Sequence, residues 1–156
     1  MNVEFINPFI EATMNVLTTM AMLNPQAGKP VLKTSDKPNG DLTGVIGLVG
    51  EQVTGSMAIV LPSKCATTIA SNMLGEEFTE VNDVVVDCVG ELTNMITGGA
   101  KAKLGEMGYR FEMAIPSMIR GKKHVVYHKT KGPVVCIPFD LDGSEFYVEA
   151  CFNATE

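Results

Sequence analysis

The sequence predicts an α/β (α+β) fold made of two helix-plus-strands halves, and three observations predict it. Apolar residues recur at helical spacing near the N-terminus and again from about Asn82 to Leu104. Strand-like runs come in pairs joined by short turns. The two pairs also echo each other: "VIGLVGEQVTGSMAIVLP" has the layout of "VVCIPFDLDGSEFYVEA", with Gly55-Ser56 falling on Gly143-Ser144. The helices before them echo too, since "NPFIEATM" lines up with "DCVGELTN", placing Glu11 over Glu91 and Met14 over Asn94. That repeated order reads as an internal duplication.

The first helix spans Phe5 to Leu23 and stops at "NPQAGKP". A polar, turn-rich segment, "KTSDKPNGDLTG", leads into the strands "VIGLVG" and "SMAIVLP", separated by the tight turn "EQVTG". The second helix opens on Pro62 and Ser63 and closes at Leu74-Gly75. The third runs from about Asn82 to Leu104, after which "GEMGYRFEMAIP" turns into strand. "RGKKHVVYHKTK" gathers Arg120, Lys122, Lys123, Lys129 and Lys131 and reads as a solvated hairpin. "PVVCIPFDL", the turn "DGSE" and "FYVEACF" form the closing hairpin.

At 156 residues the chain is expected to be one domain, 1–156, with a core large enough to need neither disulfide nor metal. Its 46% hydrophobic and 19% charged residues are those of a globular protein, and no run of about 18 apolar residues suggests a membrane span. The N-terminus carries Glu4 and Glu11 and no basic region of a signal peptide, so a soluble, cytoplasmic protein is expected. Cys65, Cys88, Cys136 and Cys151 show no zinc-ligand spacing and read as free buried thiols. A net charge of -6 argues against nucleic acid, leaving proteins or small molecules as partners.

The third helix carries the chemistry. At 100° per residue Val85, Val89, Leu92, Ile96 and Ala100 form one apolar stripe, which is core. Opposite lie Asp83, Asp87, Glu91, Asn94, Gly98 and Lys101, with Glu91 and Asn94 one turn apart on one line. Each of the adjacent glycines, Gly98 and Gly99, costs a helix about 1 kcal/mol relative to alanine. Their lack of side chains leaves a flat apron where another surface can approach the backbone beside the carboxylate and the amide. An amide carries donor and acceptor on one rigid plane and can hold a water in line with an electrophilic phosphorus. A carboxylate one turn away can pair with a partner's lysine and fix the register.

These residues resemble the motif of the CheC/CheX phosphatases of bacterial chemotaxis. Here it stands as Asp87-x3-Glu91-x2-Asn94-x21-Pro116, one residue off the family spacing before the proline. The resemblance covers essentially the whole chain, including "NPFIEATMNVL" and "TGSMAIVLP", and is closest to the CheX branch. It implies a CheC-like fold, with two pseudo-repeated halves forming a sheet on which long helices pack. It also implies dephosphorylation of the aspartyl-phosphate of a CheY-like response regulator. In that scheme Asn94 orients the attacking water and Glu91 pairs with the regulator's lysine, while Asp87, Gly98 and Lys101 meet the partner. Because Met14 replaces the second asparagine in the first helix, one working site is expected. The resemblance further implies a homodimer assembled through sheet edges, no metal bound by this chain, and a magnesium ion carried by the regulator.

Two other readings compete. A docking module that binds a phosphorylated regulator without hydrolysing it, like flagellar-switch relatives of the fold, would not need the amide. A cysteine enzyme using Cys88 with His124 or His128 lacks anything that would depress the thiol pKa. His124 and His128, four residues apart in a strand, sit too far from each other to share a metal and read as surface histidines.

Overall fold

The computed structural model describes residues 3–34 and 40–154. A 3-10 turn, Val3–Phe5, leads into α1 (Asn7–Ala21), shorter than the predicted Phe5 to Leu23 by the frayed ends of the pattern. The strands are β1 (Gln26–Ala27), β2 (Val31–Leu32), β3 (Gly40–Val49), β4 (Val53–Leu61), β5 (Glu112–Met113), β6 (Ser117–His124), β7 (Val134–Leu141) and β8 (Ser144–Ala154). Helices α2 (Ser63–Leu74) and α3 (Asp83–Glu106) fall between β4 and β5. The turn-rich segment predicted before the first hairpin lies partly outside the described residues, and its last part, from Gly40, is already strand.

All pairings are antiparallel, in the order β1-β7-β8-β4-β3-β5, with β2 also on β7 and β6 also on β3. The two predicted hairpins, β3–β4 and β7–β8, meet where Met57 faces Ala150 and Ile59 faces Val148. This is the α+β architecture expected of two related halves. Strand alternation sends Leu42, Ile46, Leu48, Met57, Ile59, Phe146 and Val148 to one face, where they join the main core beneath the three helices.

Helix α3 follows its predicted pattern. Asn82 caps it, its side-chain oxygen accepting from Val85 N–H at 2.9 Å, an interaction worth about 1 kcal/mol. Val85, Val89, Leu92, Ile96 and Ala100 are all completely buried. The larger of these side chains each contribute roughly 1.5–3 kcal/mol by leaving water. Thr93 lets α3 lie close on the sheet: its Oγ1 bonds back to Val89 O at 2.7 Å and occupies the space a Cβ on Gly44 of β3 would need. Helix α2 is capped from the sheet, with Asp41 Oδ2 accepting from Ser63 N–H at 2.7 Å. It ends, as predicted, on Gly75 in the left-handed region. Among the described residues no helix is long and apolar enough to cross a membrane.

The basic stretch is not a hairpin. Its first part, β6, pairs with β3 at one side of the sheet, and the chain must then cross to β7 on the other side. It does so as a strap over the back face, with Val126 packed on Ala58 and Val60. The strap is fastened by a buried polar chain. Lys33 Nζ donates to Val126 O at 2.8 Å and to Glu149 Oε1 at 3.1 Å; Glu149 Oε2 faces the same ammonium at 3.1 Å but takes no hydrogen bond. His128 Nε2 lies 3.0 Å from Glu149 Oε1, and its Nδ1 lies 2.7 Å from Ser56 Oγ. A carboxylate only accepts, so Nε2 carries the proton, and in the neutral ring Nδ1 accepts from the Ser56 hydroxyl. The His128 side chain is 1% exposed and Glu149 0%, which corrects the reading of His128 as a surface histidine. Cys151 Sγ adds a contact to Thr130 O at 3.3 Å.

Candidate active site

The polar line of α3 is open as predicted: Asp83, Asp87 and Glu91 are exposed, while Asn94, Gly98 and Lys101 are half-buried. Three helical residues span about 4.5 Å, so the Glu91 carboxylate and the Asn94 amide form one local pair. Among the described residues neither is tied up by a side-chain hydrogen bond or ion pair. Both donors and acceptors of the amide are therefore available to a partner and a water. Neighbouring elements frame the line. On one flank Arg120 of β6 bonds to Asp83 at 2.9 Å and to the Val81 carbonyl, and Met118 lies beside Gly90. Pro116 stands immediately before β6 and is half-buried.

On the other flank lies α1, and it separates the two glycines. A Cβ on Gly99 would sit 3.2 Å from Ala12 Cβ, so Gly99 serves the packing of α1 on α3. This corrects the expectation that both glycines form an apron for a partner. A Cβ on Gly98 would meet nothing within 4 Å. Gly98→Ala is therefore expected to raise stability by up to about 1 kcal/mol, because alanine is the better helix former. Gly99→Ala is expected to gain less, since Ala12 must give way. Thermal melts of the two variants check this, and a Gly98→Ala that melts below the parent contradicts it. Gly98→Leu, placing a bulky group on the Glu91 and Asn94 line, is expected to keep the fold and lower the activity.

The echo of this line on α1 has no amide at the position matching Asn94, and its carboxylate is already paired. Glu11 is paired with Lys103 of α3 at 3.3 Å, and Met14, standing where the second asparagine would be, packs against the core. The cysteine reading has no geometry to support it. Cys88 is buried with its Sγ 3.7 Å from Met73 Sδ, and burial, then the charge of Glu91, push its thiol pKa up. Burial likewise raises Cys65 and Cys136 to about 11. All four thiols are free and buried, as expected. His124 is bound to Thr43 Oγ1 at 2.6 Å and to Gly121 O at 2.7 Å, and no group of side chains among the described residues could hold a metal ion.

The polar chain behind the sheet is what the sequence reading missed. Its one signal was charge at strand positions: Glu149 stands inside "FYVEACF", but alternation says only that it points away from the helices. At the C-terminal end of α3, Lys101 and Gly105 line a groove of about 860 Å³ with the β3–β4 turn and the segment 108–112.

Three helices on one face of an antiparallel sheet, with an acid and an amide free on the outward side of one of them, define a CheC-like α+β protein. Residues 42–140 match the family described as chemotaxis phosphatase CheX. The crystal structure of chemotaxis protein CheX from Vibrio vulnificus is 45% identical, with a TM-score of 0.92 over 96% of this chain and 99% of that one. The CheX of a CheX-CheY-BeF3-Mg complex from Borrelia burgdorferi is 28% identical, with a TM-score of 0.82 over 97% of this chain and 99% of that one. CheY-P phosphatase CheX of Thermotoga maritima is 24% identical over 146 residues, 93% of this chain and 92% of that protein. The chain belongs to the CheX family of chemotaxis phosphatases.

Proposed function

We propose that this protein hydrolyses the aspartyl-phosphate of a CheY-like response regulator, with α3 entering the regulator's active site. The observation that carries the reading is the Glu91 and Asn94 pair, one turn apart on the open line of α3 and without side-chain hydrogen bonds or ion pairs among the described residues. The amide would accept from and donate to the attacking water, holding it in line with the phosphorus without taking a charge itself. Glu91 would pair with the regulator's lysine and so fix where the amide sits. Asp87, Gly98 and Lys101 would meet the regulator along the same line. Magnesium would be held by the regulator. A homodimer through sheet edges and a cytoplasmic location go with this reading.

Mixing the protein with a phosphorylated CheY-like regulator and following phosphate release tests the reading. Loss of phosphate well above the regulator's own rate is expected; tight binding without faster loss would instead establish a docking module. Glu91→Gln removes the charge and keeps the shape, so it is expected to weaken regulator binding by at least about tenfold, since a hydrogen bond to a charged group contributes about 1.5–3 kcal/mol and each 1.4 kcal/mol is a factor of ten. An unchanged dissociation constant would remove Glu91 from its role.

A further inference from the structure

We propose that the groove at the C-terminal end of α3 belongs to the docking surface and receives a surface loop of the phosphorylated response regulator. The proposal rests on the reading of Glu91 and Asn94 just given and extends it along the molecule. Lys101 and Gly105 lie on the same line of α3 as Asn94, about 10.5 Å and 16.5 Å farther along the axis at 1.5 Å per residue. A specific interface of ordinary size covers about 800 Å² on each partner, a patch roughly 16 Å in radius. A regulator centred on Asn94 therefore reaches the groove's near wall without any enlargement of the contact. The groove is not filled from within: a Cβ on either of its lining residues Gly105 and Gly108 would meet nothing within 4 Å. Its volume, about 860 Å³, is in the range that encloses a drug-sized group, and here it would admit several side chains of a loop.

The chemistry of the walls says which kind of loop fits. Phe111 is almost wholly buried in the floor, and Val49 stands 62% exposed on the rim. Lys101, Arg110, Glu51 and Glu112 also line it, so both signs of charge stand at one opening. An apolar side chain flanked by polar groups matches these walls, and the charges would set the loop's orientation more than its affinity. The groove would thus contribute to which regulator is held, while the Glu91 and Asn94 pair acts on the phosphoryl group.

Three variants and one measurement on the parent protein test this. Arg110→Glu reverses one wall charge, and Gly105→Phe fills the groove from the exposed side of α3. Both are expected to weaken binding of a beryllofluoride-activated CheY-like regulator at least tenfold, while dephosphorylation at saturating regulator stays within about twofold of the parent. Gly105→Ala is expected to bind like the parent. Independently of folding in any variant, adding the activated regulator to the parent should slow amide exchange in 49–52 and 108–112 as well as around Asn94. Dissociation constants within twofold of the parent for both large changes, or exchange protection confined to 91–98, would overturn the proposal. A loss with Arg110→Glu but none with Gly105→Phe would also overturn it, because a loop seated in the groove cannot ignore a ring placed there. If Asn94→Ala kept parental activity, the underlying reading would fall and the groove would fall with it; if Asn94→Ala were inactive and the groove variants bound normally, only the groove would be lost.

Discussion

Asn94→Ala is expected to lower dephosphorylation of the regulator about 100-fold or more while regulator binding and melting temperature stay near those of the parent. A factor of 100 corresponds to about 2.7 kcal/mol of transition-state stabilisation, which is what one well-placed positioning group commonly supplies. The fold should tolerate the change because Asn94 is only half-buried and makes no side-chain hydrogen bond among the described residues. Nothing is left unsatisfied when the amide goes. Loss of rate with intact binding separates a water-orienting role from a docking role, since a docking residue would raise the dissociation constant instead. Single-turnover phosphate release at saturating protein, alongside binding of the beryllofluoride-activated regulator, reads both quantities. Activity within a few-fold of the parent would remove the amide from the mechanism.

What the sequence made legible, and what it did not, divides along the range of the interactions involved. Helical periodicity is local, so the five core positions of α3 and the opposing polar line could be read directly, and both stand as read. The hairpins were legible for the same reason, each being a short-range pairing around a turn. The role of Gly99 was not, because it depends on Ala12, which lies far away in the chain. The strap failed for a related reason. "RGKKHVVYHKTK" looks like a hairpin when read alone, but β6 finds its partner in β3, and only the sheet order shows that the next residues must cross the back face. Alternation assigned Glu149 to that face correctly and could not show that Val126 and His128 would cover it. Charged residues inside strands are read as solvated until the covering element is known.

That covered carboxylate carries the largest stability effect expected here. Lys33→Met would leave Glu149 charged and fully buried with only His128 to answer it, and breaking one side of a buried pair typically costs about 3–5 kcal/mol. For a chain of this size that corresponds to a fall in melting temperature of roughly 10 °C. Glu149→Gln strands the Lys33 ammonium instead, although Val126 O still accepts from it, and should cost less. The double variant Lys33→Met with Glu149→Gln removes both charges and keeps an acceptor for His128, so it is expected to recover most of the loss of Lys33→Met alone. The acid limb supplies a second readout. Burial by itself would raise the Glu149 carboxyl, but the hydrogen bond from His128 and the charge of Lys33 outweigh it and hold the group below its ordinary 4.5. A folded-state pKa lower than the unfolded one means the stabilisation is complete above about pH 4.5 and disappears as the pH falls through the lower, folded value. The parent should therefore lose stability in that window, and Glu149→Gln, lacking the titrating group, should lose less of it. Equal acid limbs for the two proteins, or a Lys33→Met that melts like the parent, would show that the buried chain does not hold the strap.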